Sequence, residues 1–194
     1  MAYPTYSDVK VYRGIAVAST KDDALLTILV AAAKQQIETY CHRTFEASAT
    51  ASTKHFDAIR DIDNEGYLLI SEDLASISAI TNGDGVVIAE TDYVTAPSNH
   101  APYYAIKLKL GASTRWTHTD SPENAIAING KWGYATTCPA DIKQAIVRLT
   151  AYMYAQKDAS SFDTTMFPGE GVMTVPSGIP KDVLQIIDGY KRLR

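Results

Sequence analysis

The order in which two hydrophobic periods follow one another along the chain constrains its fold more than any other feature. Apolar residues recur at helical three- and four-residue spacing from Thr20 to about Cys41, and again from Cys138 onward. Residues 52 to 134, between them, carry short runs rich in Ile, Val, Tyr and Thr, broken by Gly, Asn, Asp and Pro. An amphipathic helix has one dry stripe and must bury it against another element. The two helical segments are therefore expected to meet in space, with the β-patterned stretch inserted between them as a lobe.

Three helices are expected. The first opens at Thr20-Lys-Asp-Asp23, a capping-box-like pattern in which Thr20 accepts a backbone N–H and the acids favour the positive helix end. Its stripe is Leu25, Ile28, Leu29, Ala32, Gln36, Ile37 and Tyr40. The second opens at Cys138-Pro139-Ala-Asp141, with proline at the first helical position, where its missing N–H costs nothing. Its stripe is Ile142, Ala145, Ile146, Leu149, Tyr152 and Met153. The third repeats the Pro-x-Asp opening at Pro180-Lys-Asp182, with Val183, Leu184, Ile187 and Tyr190 on one face.

Within the lobe, Tyr67–Ser71, Ser76–Thr81, Val86–Glu90, Tyr104–Leu110 and Ala125–Lys131 are the expected strands, and Ser52–Asp57 also reads as one. Asn82-Gly-Asp-Gly85 is a hairpin signal, because glycine supplies the positive φ of tight turns. Ile106-Lys-Leu-Lys-Leu110 alternates strictly, as a half-buried strand does. The fold class is thus α+β. A small bundle of three main helices (residues 1–45, 135–157 and 179–194) carries an antiparallel β lobe (46–134) and an extended C-terminal arm (158–178).

Composition narrows the functional class. The 194 residues fit one domain, or one with a sizeable insertion, and their net charge of −4 argues against a general nucleic-acid binder. The charge is split: residues 1–97 carry net −7 and residues 98–194 net +3, as suits a subunit whose unlike faces meet each other or different partners. Two cysteines, Cys41 and Cys138, make no disulfide framework. Met1–Asp8 shows neither the basic nor the apolar region of a targeting segment, and the apolar run Ala24–Ala33 is too short for a membrane span. A soluble, intracellularly made chain without a membrane partner is expected.

Recognisable chemistry is scarce. Asp61, Asp63, Glu65 and Glu72 approach the spacing of a calcium loop, with Gly66 at the turn. Glu65 is too long for its place, and strands rather than helices flank the motif, so no metal is expected. His42, His55, His100 and His118 form no ligand pair at helical spacing, and neither cysteine belongs to a CxxC. No nucleophile elbow, phosphate loop or dinucleotide fingerprint occurs, so neither an enzyme nor a cofactor is expected.

Contact surfaces are better represented. Twelve tyrosines stand against four phenylalanines, and such half-wet rings suit interfaces. Trp132, Tyr134 and Tyr152 are the candidates for contact between subunits. Residues 158–178 sustain neither period, yet Phe162, Met166, Phe167, Val172, Met173 and Val175 make them too apolar for a solvated linker. Such a segment is expected to order on a partner.

The succession of an acid-opened helix (Asp22 to Tyr40), a β insertion ending Gly130-Lys-Trp-Gly-Tyr134, then Cys138-Pro-Ala-Asp-Ile-Lys-Gln-Ala-Ile146 and a closing Pro180 to Arg192 resembles the head–tail connector, or adaptor, proteins of tailed bacteriophages. The resemblance implies a structural virion protein of the neck, made in the host cytoplasm. It implies a ring of identical subunits under the portal protein, a dodecamer when it follows the portal's symmetry. Such a ring prolongs the DNA channel without sequence-specific binding and presents a surface to the next stopper or tail protein. Carried over, portal contact falls to the arm residues and to Tyr190, Lys191, Arg192 and Arg194. Competing classes are another virion component, such as a tail-completion or decorating protein, and a small ligand-binding or enzymatic domain with its pocket in the β lobe.

Overall fold

The computed structural model describes residues 2–157, 164–167, 171–174 and 178–192. It divides into a helical unit, Met1–His42 with Pro139–Arg194, and a β unit, Arg43–Cys138. The architecture is α+β, with four α-helices and a five-stranded antiparallel sheet among the described residues.

The helical unit begins with α1 (Tyr6–Arg13). The Asp8 carboxylate accepts from the Thr5 N–H at 2.7 Å and from its hydroxyl at 3.1 Å, which opens the helix. Gly14, at φ 67°, closes it by donating to the carbonyls of Lys10 and Val11. This helix escapes periodicity because it is short and buries only Val9 and Lys10. Lys10 is 1% exposed; its Nζ donates to the carbonyls of Val17 at 3.2 Å and Ser19 at 2.5 Å and pairs with Asp23. It thereby organises the connection to α2 (Asp23–Cys41).

Two details of α2 differ from expectation. Thr20 does not cap it: Asp22 is the cap residue and makes no side-chain capping bond. The Asp22 carboxylate instead accepts from Tyr154 Oη at 2.7 Å and Lys157 Nζ at 3.0 Å, which ties the start of α2 to the end of α3. The buried stripe is Leu26, Ala33, Ile37 and Cys41, while Ile28 is 66% exposed. Leu25 to Val30 is apolar almost all round, apart from Thr27, so spacing alone could not fix the helix's rotational phase.

Helix α3 (Ala140–Gln156) packs on α1, α2 and α4; of its expected stripe Ile142, Ala145, Ile146 and Leu149 are fully buried, while Tyr152 and Met153 are half-buried. Helix α4 (Lys181–Ile187) buries Val183 and Ile187. Pro139 and Pro180 stand at the cap, one position before the first helical residue, and their carbonyls accept from Lys143 and Leu184, both at 2.9 Å. Strands β6 (Thr164–Phe167) and β7 (Gly171–Thr174) pair as an antiparallel hairpin inside the stretch read as an irregular arm. Pro168-Gly169 between two apolar runs was the available turn signal.

The β unit has strand order β1-β5-β2-β4-β3, comprising β1 (Ser52–Phe56), β2 (Tyr67–Thr81), β3 (Tyr93–Ala96), β4 (Tyr103–Leu108) and β5 (Ile126–Trp132). The two strands expected across residues 67–81 are one long β2. Its first part pairs with β4 and its second with β5, and the register shifts between Leu69 and Leu74. Val86–Glu90 is not a strand; it contributes a single bridge, Thr81 to Val87. The glycine turn before it is tight, with Gly85 at φ 82° donating to the Asn82 carbonyl at 2.9 Å. Strand β4 ends at Leu108, leaving Leu110 89% exposed. Leu68, Leu74, Ile80, Ile106, Ile126 and Ile128 form the core.

Candidate assembly surfaces

The calcium-like loop is occupied by its own backbone. Asp63 Oδ1 accepts from the N–H groups of Glu65 at 2.9 Å and Tyr67 at 2.8 Å, and Asp61 Oδ2 from that of Asp57 at 2.8 Å. Asp57 accepts from Ile59 and Arg60, and these backbone donors hold its carboxyl below the ordinary value. Glu72 pairs with Lys54 at 2.5 Å. Among the described residues no three His, Cys, Asp or Glu side chains gather where they could hold a metal ion. Cys41 and Cys138 are buried, and Cys41 Sγ donates to the Ile187 carbonyl at 3.5 Å.

The three aromatic candidates for subunit contact lie in different settings. Trp132 is 8% exposed; it stacks on Phe56 with ring centres 6.0 Å apart and donates from Nε1 to the Ser52 carbonyl at 2.9 Å. Tyr134 is half-buried, against Phe45 and the Arg43 guanidinium. It stands where the two ends of the β unit close on each other: its N–H donates to Thr44 at 2.8 Å, and Ala47 donates to Ala135 at 2.9 Å. Arg43 Nη1 seals the same end on both oxygens of Asp73, at 2.9 and 3.0 Å. Tyr152 is on α3, half-buried, at the wall of a cavity.

The C-terminal candidates are drawn onto the helical unit. Tyr190 Oη donates to Asp141 at 2.7 Å, Tyr40 Oη to Asp188 at 2.5 Å, and the Arg192 N–H to the Cys41 carbonyl at 3.0 Å. The Asp188 bond pushes the Tyr40 phenol above its ordinary value. The exposed Lys191 ammonium lies 4.8 Å from the centre of the Tyr40 ring. Met166, Phe167, Val172 and Met173 belong to the β6–β7 hairpin. Phe162, Val175 and Arg194 lie outside the described residues.

The cavity, of about 310 Å³, opens between α1, α3 and α4 and is lined by Tyr12, Arg13, Arg148, Tyr152 and Asp182 among others. Sequence reasoning missed Tyr12, Arg13 and Arg148. The first two sit on the helix that periodicity overlooked, whose signal was Thr5-x-x-Asp8 followed by Gly14. The charge also divides otherwise than by halves of the chain. The β unit holds 12 acidic against 7 basic residues, net −5, and the helical unit 11 basic against 10 acidic, net +1. Among the described residues no helix is long and apolar enough to cross a membrane.

The sequence pattern of the head completion protein family matches residues 4–193. No curated protein matches the chain in sequence. Among solved structures, the fold is similar to a chain in the neck of an empty gene transfer agent (GTA) particle computed with C6 symmetry, at 20% identity and TM-score 0.55, covering 100% of this chain and 94% of that one. A chain in the virion of a native GTA particle gives 20% and 0.54, with the same coverage. One in the neck of a native GTA particle computed with C12 symmetry gives 18% and 0.53, covering 100% and 93%. At these identities the likeness is one of fold, whereas the family match runs through both units described above. The chain belongs to the head completion protein family.

Proposed function

We propose that the chain is a structural component of the virion neck, a connector subunit forming a ring of identical copies beneath the portal protein. In this reading the ring prolongs the DNA channel and offers its far side to the next stopper or tail protein. The observation that carries it is the family match over residues 4–193. The fold likeness to chains from GTA necks computed with C6 and C12 symmetry supports it, since rotational symmetry suits a ring around a channel. A closed ring needs two different complementary patches per subunit. The acid-rich β unit, net −5, is also suited to a passage that must not hold a polyanion.

The contacts are assigned as follows. Tyr134 and Tyr152 face neighbouring copies, with Trp132 fixing the strand beneath Tyr134. The hairpin residues Met166, Phe167, Val172 and Met173, with Phe162, Val175 and the terminal Tyr190, Lys191, Arg192 and Arg194, face the portal. Deleting residues 158–178 and joining α3 to α4 by a short glycine linker separates this role from that of an unrelated soluble domain. The deletion variant is expected to keep its circular dichroism and cooperative melting while losing co-sedimentation with the portal protein. Undiminished co-sedimentation overturns the assignment of portal contact to the arm.

A further inference from the structure

The cavity of the helical unit is an open groove between α1, α3 and α4. Tyr12, 51% exposed, and Tyr152 stand at its sides, and Ala151 and Ala155, one turn apart on α3, leave room between them. Its polar part is unfinished. Arg148 Nη1 donates to Asp182 Oδ2 at 3.2 Å, while the Nε of the same guanidinium is buried without a hydrogen-bond partner. The side chain as a whole is 38% exposed, and a guanidinium carries five N–H donors in a planar fork, so its exposed part can take a carboxylate while Nη1 holds Asp182. Arg13 adds a second cation to the lining and Asp182 is its one anion, so the groove favours a negatively charged occupant.

The chain itself carries a matching segment. Residues 158–178 include Asp158, Asp163 and Glu170, no lysine or arginine, and Phe162 directly before Asp163. Within this segment the β6–β7 hairpin spans Thr164 to Thr174, joined to α3 and α4 by residues 158–163 and 175–180. Six residues reach at most about 20 Å when extended. That exceeds the 8–10 Å between packed helices, so the hairpin can leave its own unit for an adjacent one.

We propose that the groove is the receiving half of a contact between copies of this chain: it takes the acidic base of the 158–178 segment from a neighbour, a carboxylate on Arg148 and an aromatic ring between Tyr12 and Tyr152. The proposal rests on the ring reading above and refines it. Phe162 moves from the portal contact to the contact between copies, and the hairpin beyond it remains for the portal. Each copy gives a segment on one side and receives one on the other, which is the unlike-patch pairing that a closed ring requires.

The test uses the full-length chain with Tyr12→p-benzoylphenylalanine, prepared in normal and ¹⁵N-labelled batches, mixed, and assembled with the portal protein. Self-association is scored by sedimentation, and the sample is then irradiated and digested for mass spectrometry. Cross-links joining position 12 to residues 158–163 in mixed-isotope pairs are expected. Arg148→Gln and Asp163→Asn should each lower their yield about tenfold, the worth of one charge-assisted hydrogen bond, without changing the melting temperature appreciably. Asp182→Asn removes the one anion of the lining and should raise the yield, and a fall in yield would overturn the charge pairing. Same-isotope cross-links alone mean that the segment fills its own groove and overturn the proposal, as do cross-links to another segment or none at all. Assembly into a ring without mixed-isotope cross-links defeats this inference only, whereas failure to self-associate defeats the ring reading with it.

Discussion

Lys10 and Asp22 show how single side chains join the helices of this molecule. Lys10 is buried with its ammonium between two carbonyls and the Asp23 carboxylate, so Lys10→Ala leaves both carbonyls without their donor and Asp23 without its ion pair. Truncating one side of a buried pair is strongly destabilising, and a loss of about 3 kcal/mol in chemical denaturation of the variant is expected. Asp22 joins α2 to the last turn of α3, and its bonds from Tyr154 and Lys157 hold its carboxyl below the ordinary 3.8. A carboxyl depressed in the folded state stabilises fully above its unfolded value and loses that contribution as pH falls through the folded one. The melting temperature should therefore drop between pH 5 and pH 2, and Asp22→Asn should flatten part of that drop; identical profiles would contradict the assignment. Neither role was legible in the sequence. A lysine twelve residues before a helix cap and an acid at it read as solvated charge, because what they bind is set by the intervening turn and by α3.

At the scale of elements, strong periods were legible and weak ones were not. The first four residues of the α3 stripe, Ile142, Ala145, Ile146 and Leu149, are buried as expected, whereas Tyr152 and Met153 are half-buried and Val147, Thr150 and Ala151 widen the buried face. The phase of α2 slipped because its first two turns are apolar on most sides, and α1 and β3 were too short to show a period. The break expected within residues 67–81 is real in another sense, for Ser71-Glu-Asp73 is where β2 changes partner from β4 to β5. Gly130 on β5 faces Ser76 so closely that a Cβ would stand 2.4 Å from its carbonyl oxygen. Gly130→Ala must push β5 from β2, and a cost of about 1–3 kcal/mol in urea melts is expected. The two ends of the β unit are hydrogen-bonded to each other around Thr44, Ala47 and Ala135. Residues 43–138 expressed alone should accordingly unfold cooperatively, and a non-cooperative melt would show that the end closure is insufficient.

At the scale of the whole molecule, the insertion pattern that makes the two ends of the chain one helical unit also redistributes its charge. The sequence halves, −7 and +3, are not structural bodies; the acid excess belongs to the β unit and the helical unit is nearly neutral. Contacts between copies that rely on charge are thus sought in local pairs, such as Arg148 with an incoming carboxylate, rather than between acidic and basic halves. The surfaces proposed for assembly were legible only in part. The apolar character of residues 158–178 was plain, but the hairpin within it needed its partner strand, and the groove needed three helices at once. The most direct measurement is cryo-electron microscopy of the chain mixed with the portal protein. A rotationally symmetric ring of identical copies seated on one face of the portal is expected; portal rings free of added density, with the chain remaining monomeric, would overturn the connector assignment.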